Sequence, residues 1–161
     1  HGTIMDGEVL ALMKKHGTYY IPTISAGMFV AEKAKQKGYY PQIIIPKALE
    51  IGPRLLNTFT TAYKFGIKIA FGTDSGVSYH GDNAKEFFYM VRGGMTEMEA
   101  IRSATVIASE MLGINDKLGS IESGKLADII AVKGNPIKDI TLLQEVMFVM
   151  KEGKIFKSNL N

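Results

Sequence analysis

Two short β-prone runs, each entered from a glycine-stopped helix, constrain this chain more than any other feature. The clearer run is Ile67–Phe71, which follows Gly66 and leads into Gly72-Thr73-Asp74-Ser75-Gly76. Alternating apolar residues predict a strand, and the glycine and hydroxyl residues after it predict a sharp exit. The other is Thr18–Ile24, rich in β-branched and aromatic residues, which begins after Gly17 and is predicted to end at Ser25-Ala26-Gly27. Helix, strand, helix, strand is the order of a parallel sheet with helices packed over it, because parallel strands need a long crossover between them.

The remaining elements follow the same signals. Asp6 is a predicted N-cap for a helix over Glu8–His16, with Gly17 as its C′ residue. Residues 28–46 combine a lysine-rich helical piece with a turn at Gly38 and prolines at 41 and 46. Lys47–Phe65 is predicted helical, with Pro53 breaking or kinking it near Gly52. Asp82 or Asn83 is the expected cap of a helix over Ala84–Arg92, which Gly93-Gly94 ends. Thr96-Glu97-Met98-Glu99 is a capping box for a helix to about Ala104, with a further turn over Ser109–Leu112. From Ile114 the pattern changes to short β segments at Leu118–Ser123, Ala127–Lys133, Val146–Met150 and Lys154–Lys157, separated by glycine turns.

Composition excludes several chemistries. The 161 residues contain no cysteine, so disulfides, thiolate nucleophiles and cysteine zinc sites are absent. A net charge of +3 is too small to suggest a nucleic-acid surface; Lys33, Lys35 and Lys37 are read as a solvated helix end. No apolar stretch has the length of a membrane span, and no signal-peptide pattern is present. The cytoplasm is the favoured compartment, with the periplasm or secretion left open. The chain opens at His1-Gly2-Thr3 without methionine, which suggests a fragment or processed chain.

Among the polar residues, Asp74 is the strongest candidate for chemistry. A carboxylate at a strand's C-terminal end can hold a divalent metal and accept a proton from water. The competing role is an Asx-turn. His80, between Tyr79 and Gly81, is either a ligand-contacting or an ordinary surface-loop histidine. His1 alone would be dismissed as a chain end, and His16 as a partner for a helix dipole. Thr23, Ser25, Thr73 and Ser75 are expected mainly to make turn hydrogen bonds. No nucleophile-elbow pattern supports a serine hydrolase. Met90, Met95, Met98 and Met111 are expected to fill core space. A weaker alternative is an unrelated α/β protein handling sugars or phosphates.

Phe71-Gly72-Thr73-Asp74-Ser75-Gly76, followed by His80-Gly81-Asp82-Asn83 and Glu86, resembles the strand-8 region of metal-dependent amidohydrolases. The similarity is greatest to their imidazolonepropionase-like branch, which contains Xaa-Pro dipeptidases and related carboxypeptidases. Leu118-Gly119-Ser120-Ile121-Glu122-Ser123-Gly124-Lys125-Leu126-Ala127-Asp128-Ile129-Ile130 resembles the family's return from barrel to small β-sandwich. Gly134-Asn135-Pro136 and Val149–Ile155 continue that resemblance.

The resemblance implies an α/β fold: the C-terminal part of a TIM-like (β/α)8 barrel in residues 1–113, covering strands 6–8. Residues 114–161 would then be strands of the small β-sandwich. It implies Asp74 as metal ligand and proton shuttle, His1 as a metal or substrate ligand, and His80 as a substrate contact. One or two divalent ions, zinc first, would be the cofactor, and a dipeptide or other small amide the substrate.

The family's His-x-His pair, bridging lysine or glutamate and further histidine have no counterpart here. The chain by itself is therefore expected to bind metal weakly and turn over little. Its partner would be a missing N-terminal half or a second copy. The rival reading is a non-catalytic half-barrel that assembles with itself or with a separate chain.

Overall fold

The computed structural model describes residues 1–159, so the last two positions of the tail segment 114–161 lie outside the described residues. Helix α1 spans Gly7–His16, where Asp6 accepts the Val9 N–H at 2.9 Å and Gly17 ends the helix at φ 64°. Strand β1 follows at Tyr19–Tyr20 and α2 at Ile24–Lys33. Next come α3, Ile45–Phe65, and β2, Lys68–Ile69. Three helices complete the first part: α4 at Lys85–Arg92, α5 at Glu97–Ala104 and α6 at Val106–Met111. The tail holds β3 at Ile129–Val132, a 3₁₀ helix at Ile140–Gln144, β4 at Val146–Lys151 and β5 at Lys154–Ser158.

β1 and β2 pair in parallel, with Tyr19 opposite Lys68 and Tyr20 opposite Ile69. The Ala70 N–H extends this pairing by donating to Tyr20 O at 3.0 Å. The core beneath is built from Leu10, Tyr20, Ile24, Phe59, Ala62, Ile69 and Met90. α2 lies across α3 where two glycines meet. A Cβ at Gly52 would come within 2.8 Å of Gly27 O and 2.9 Å of Met28 Cα, so only glycine allows this approach.

Several expectations are corrected. The segment Thr18–Ile24 is not a strand running to Gly27: Thr23 takes a left-handed conformation at φ 51°, and Ile24–Gly27 form the first turn of α2. The reason is tertiary. Glu86, sixty residues away, accepts the N–H groups of Ile24 and Ser25 and caps a helix that local β propensity opposes. Pro53 does not divide α3, which runs unbroken through it while burying Ala48, Leu55, Phe59 and Ala62.

α4 has no side-chain cap. Asn83 Oδ1 instead accepts the Gly81 N–H, and Asp82 pairs with Lys85 at 2.9 Å. α6 is longer than the turn expected over Ser109–Leu112. Leu118–Ser123 is irregular backbone and not a strand. Met90 and Met95 are buried, but Met98 is 45% exposed and fills no core.

The capping box is formed: Thr96 Oγ1 accepts the Glu99 N–H and Glu99 Oε2 accepts the Thr96 N–H. In the tail, β3, β4 and β5 form an antiparallel sheet in that order. Glu152 and Gly153, both with positive φ, make the two-residue turn between β4 and β5. Asp128 secures that turn by accepting the Glu152 N–H at 2.7 Å. Among the described residues, no helix is long and apolar enough to cross a membrane.

Candidate active site

Parallel pairing of β1 and β2 brings their C-terminal ends side by side, and the chain turns sharply beyond each. Thr23 after β1 and Asp74 after β2 both hold left-handed backbone, at φ 51° and 52°. Such conformations are costly outside glycine, asparagine and aspartate, and they cluster where function needs a fixed geometry. Val77 N–H donates to Asp74 O at 3.2 Å and closes the turn that presents the Asp74 carboxylate.

His1 completes the cluster. Its Nδ1 lies 2.6 Å from Thr23 Oγ1, and its Nε2 lies 3.7 Å from Asp74 Oδ2. The segment carrying it is anchored, since the Thr58 hydroxyl donates to Thr3 O at 2.9 Å. With the Thr23 hydroxyl proton directed to Pro22 O at 2.8 Å, its oxygen accepts Nδ1–H from His1. That leaves the Nε2 lone pair turned towards a carboxylate. A lone pair 3.7 Å from a carboxylate leaves a place between them that suits a cation, with water filling it otherwise. The side chains are 59% and 44% exposed, so the pair opens to solvent.

This donor set, one imidazole nitrogen and one carboxylate, fits a divalent metal, and a second hydrogen bond orienting the imidazole is usual for histidine ligands. It is two donors and not three. Among the described residues, no group of three or more histidine, aspartate or glutamate side chains could hold an ion.

The structure thus brings together His1 and Asp74 but does not join His80 to them. His80 is exposed, with no hydrogen bond or ion pair to either among the described residues. Its loop is clasped from one side, where the Tyr79 ring packs edge-on against Phe29 at 5.4 Å and Lys33 Nζ sits 5.5 Å from the Tyr79 ring. Thr73 and Ser75 pair with each other at 3.1 Å, which is the turn role expected of them. Thr23 does more than that, because it orients His1.

Glu86 had a place in the sequence pattern but no role assigned from it. It is fully buried, and burial raises its pKa while the Ser25 and Ile24 N–H groups oppose the rise. The Tyr20 phenol beneath is also raised, first by burial and then by the Glu86 charge. Nothing local in the sequence links Glu86 to residues 24 and 25. An apolar cavity of 560 Å³ lies elsewhere, lined by Ile101, Leu112, Leu118, Ile129 and Val132.

The segment before α1 thus brings an imidazole to within 3.7 Å of a carboxylate that follows a parallel strand. The Amidohydrolase family profile matches residues 1–156, and the chain belongs to that family. It is 37% identical over 163 residues to ochratoxinase from Aspergillus niger, an alignment covering 98% of this chain and 33% of that protein. A solved Xaa-Pro dipeptidase with bound methionine in its active site superposes with a TM-score of 0.94 at 58% identity. That match covers 98% of this chain and 39% of the dipeptidase. A prolidase complexed with N-methylphosphonate-L-proline gives 0.85 at 27% identity, again over 98% of this chain and 39% of the other. The chain therefore spans between a third and two-fifths of these relatives.

Proposed function

We propose that these residues belong to a metal-dependent hydrolase of amide or peptide-like C–N bonds, dipeptidase- or carboxypeptidase-like, in which Asp74 is the catalytic carboxylate. One observation carries the reading: His1 Nε2 and Asp74 Oδ2 face each other at 3.7 Å beside the ends of the parallel strands, with His1 Nδ1 hydrogen-bonded to Thr23. Similarity to a Xaa-Pro dipeptidase supports dipeptides as the substrate class. The same superposition supports residues 1–113 as part of a (β/α)8 barrel and 114–161 as part of a small β-sandwich.

His1 Nε2 and the Asp74 carboxylate are the groups that would hold one of one or two divalent ions, zinc first. Such an ion, when bound, supplies Lewis-acid polarisation of water and of the scissile carbonyl. The work of Asp74 is then proton transfer: ionised, it takes a proton from the attacking water, and protonated, it returns that proton to the leaving amine. Thr23 holds the His1 ring so that Nε2 stays directed into the site. His80, on the loop clasped through Tyr79, would contact substrate.

Catalytic zinc sites usually use three protein ligands, and this pair supplies two. In this reading the remaining ligands come from polypeptide corresponding to the part of the relatives that the chain does not span. The test compares the 161-residue chain with the full-length protein on Xaa-Pro dipeptides, with zinc supplied. The full-length protein should hydrolyse them and the short chain should not. Turnover by the short chain at a rate comparable to the full-length protein's would overturn the incomplete-site reading, and inactivity of both would remove the substrate assignment.

A second reading, a non-catalytic half-barrel that assembles with itself or another chain, is favoured by one observation. Ile130, Ile155 and Phe156 on the tail sheet are 55%, 55% and 64% exposed. Large apolar side chains exposed on a small sheet are typical of a surface that another surface covers.

A further inference from the structure

We propose that Glu86 is a positioning residue for the site: its buried carboxylate holds the first turn of α2 so that Thr23 can orient His1. Thr23 occupies the N-cap position of α2 yet makes no side-chain bond to the helix. An ordinary threonine N-cap would spend its oxygen on an amide of the first turn. Here Glu86, reaching in from α4, does that work instead. Its Oε1 accepts the Ile24 N–H at 2.9 Å and its Oε2 the Ser25 N–H at 2.7 Å. The side chain has no exposure to solvent, and its charge suits a helix N-terminus.

The consequence reaches the site in two steps. With α2 capped from outside, the Thr23 hydroxyl is free to accept His1 Nδ1–H at 2.6 Å. Thr23 also keeps its left-handed backbone, which a β-branched residue holds only when its surroundings impose it. Glutamine at position 86 would keep one accepting oxygen but set an NH₂ against an amide N–H, two donors facing each other. The first turn of α2 would then recruit the Thr23 hydroxyl as its cap, and His1 would lose the partner that selects its tautomer.

The part of this inference that concerns metal rests on the reading of His1 and Asp74 given above. The test uses the intact protein with two readouts: ring-nitrogen NMR of His1 without metal, and Zn²⁺ affinity by competition with a chromophoric chelator. Wild type should show a protonated Nδ1 and a bare Nε2. Glu86→Gln should lose that preference and bind Zn²⁺ about 10–100-fold more weakly, the usual effect of removing an outer partner of a ligand. Thr23→Ala should reproduce both losses while melting close to wild type, and Thr23→Ser should restore them.

Glu86→Gln that melts lower but keeps the His1 signature and Zn²⁺ affinity would show a merely structural cap and overturn the proposal. So would a Thr23→Ala variant with an unchanged His1 signature. If Glu86→Gln does not fold, the Thr23 pair decides. Should His1→Ala and Asp74→Asn bind Zn²⁺ like wild type, the metal assignment falls, while the His1 tautomer still judges Glu86 independently.

Discussion

Asp74 holds left-handed backbone at φ 52°, a region asparagine shares with aspartate at little cost, so Asp74→Asn removes the charge and leaves the turn intact. In the full-length protein this change should lower kcat/KM on dipeptides by roughly 10²–10⁴-fold, the range of a lost general acid–base group. An unchanged rate would remove Asp74 from the chemistry. Glu99 allows a pH prediction away from the site. Bonds from the Thr96 N–H, the Thr96 hydroxyl and the Tyr63 hydroxyl hold its carboxyl below the usual range. A depressed folded pKa stabilises above the unfolded value, about 4.3, and that contribution is lost as pH falls through the folded one. Wild type should therefore melt slightly higher than Glu99→Gln at neutral pH, with the gap closing below about pH 4. A gap that stays constant down to pH 3 would contradict the assignment. At this scale Asp74 stood out by the motif around it, and His1 entered only through the family resemblance. Thr23 and Glu86 were not legible, since their roles depend on partners 22 and 61–62 residues away.

The meeting of α2 and α3 shows what an element needs from its neighbours. Gly52 faces backbone atoms of α2, which no rotamer change can move aside. Gly52→Ala should therefore cost about 1–3 kcal/mol in urea unfolding, as overpacking does. A neutral result would mean that the helices separate easily. Helix ends were read well: Asp6, Gly17, Gly66 and the Thr96–Glu99 box act as their chemistry predicts, because each cap is satisfied within a few residues. Strand ends were read poorly. Thr18–Ile24 carries β propensity throughout, but the carboxylate from α4 outweighs it beyond Tyr20 and starts a helix. Leu118–Ser123 likewise has apolar alternation but no neighbouring strand to pair with, and remains irregular.

Over the whole molecule, β1 and β2 form a two-stranded sheet, and the tail sheet shows Ile130, Ile155 and Phe156 to solvent. If that sheet meets a partner, Ile155→Ser with Phe156→Ser should reduce self-association of the 161-residue chain in sedimentation experiments. Monomer stability should change little, because exposed substitutions usually stay within about 0.5 kcal/mol. Association that is unaffected would exclude the tail sheet as the contact. The sequence by itself determined the α/β order, the family and those helix ends that are capped locally, because each rests on local chemistry or a contiguous motif. Only the tertiary structure decided that β1 stops at Tyr20 and that Thr23 Oγ1 lies 2.6 Å from His1 Nδ1. It also decided that His1 stands 3.7 Å from Asp74 while His80 is joined to neither. Those outcomes rest on contacts across 22 to 73 residues of chain. Such contacts exist only once the parallel strands have paired and α4 has brought Glu86 to α2, and no local pattern encodes them.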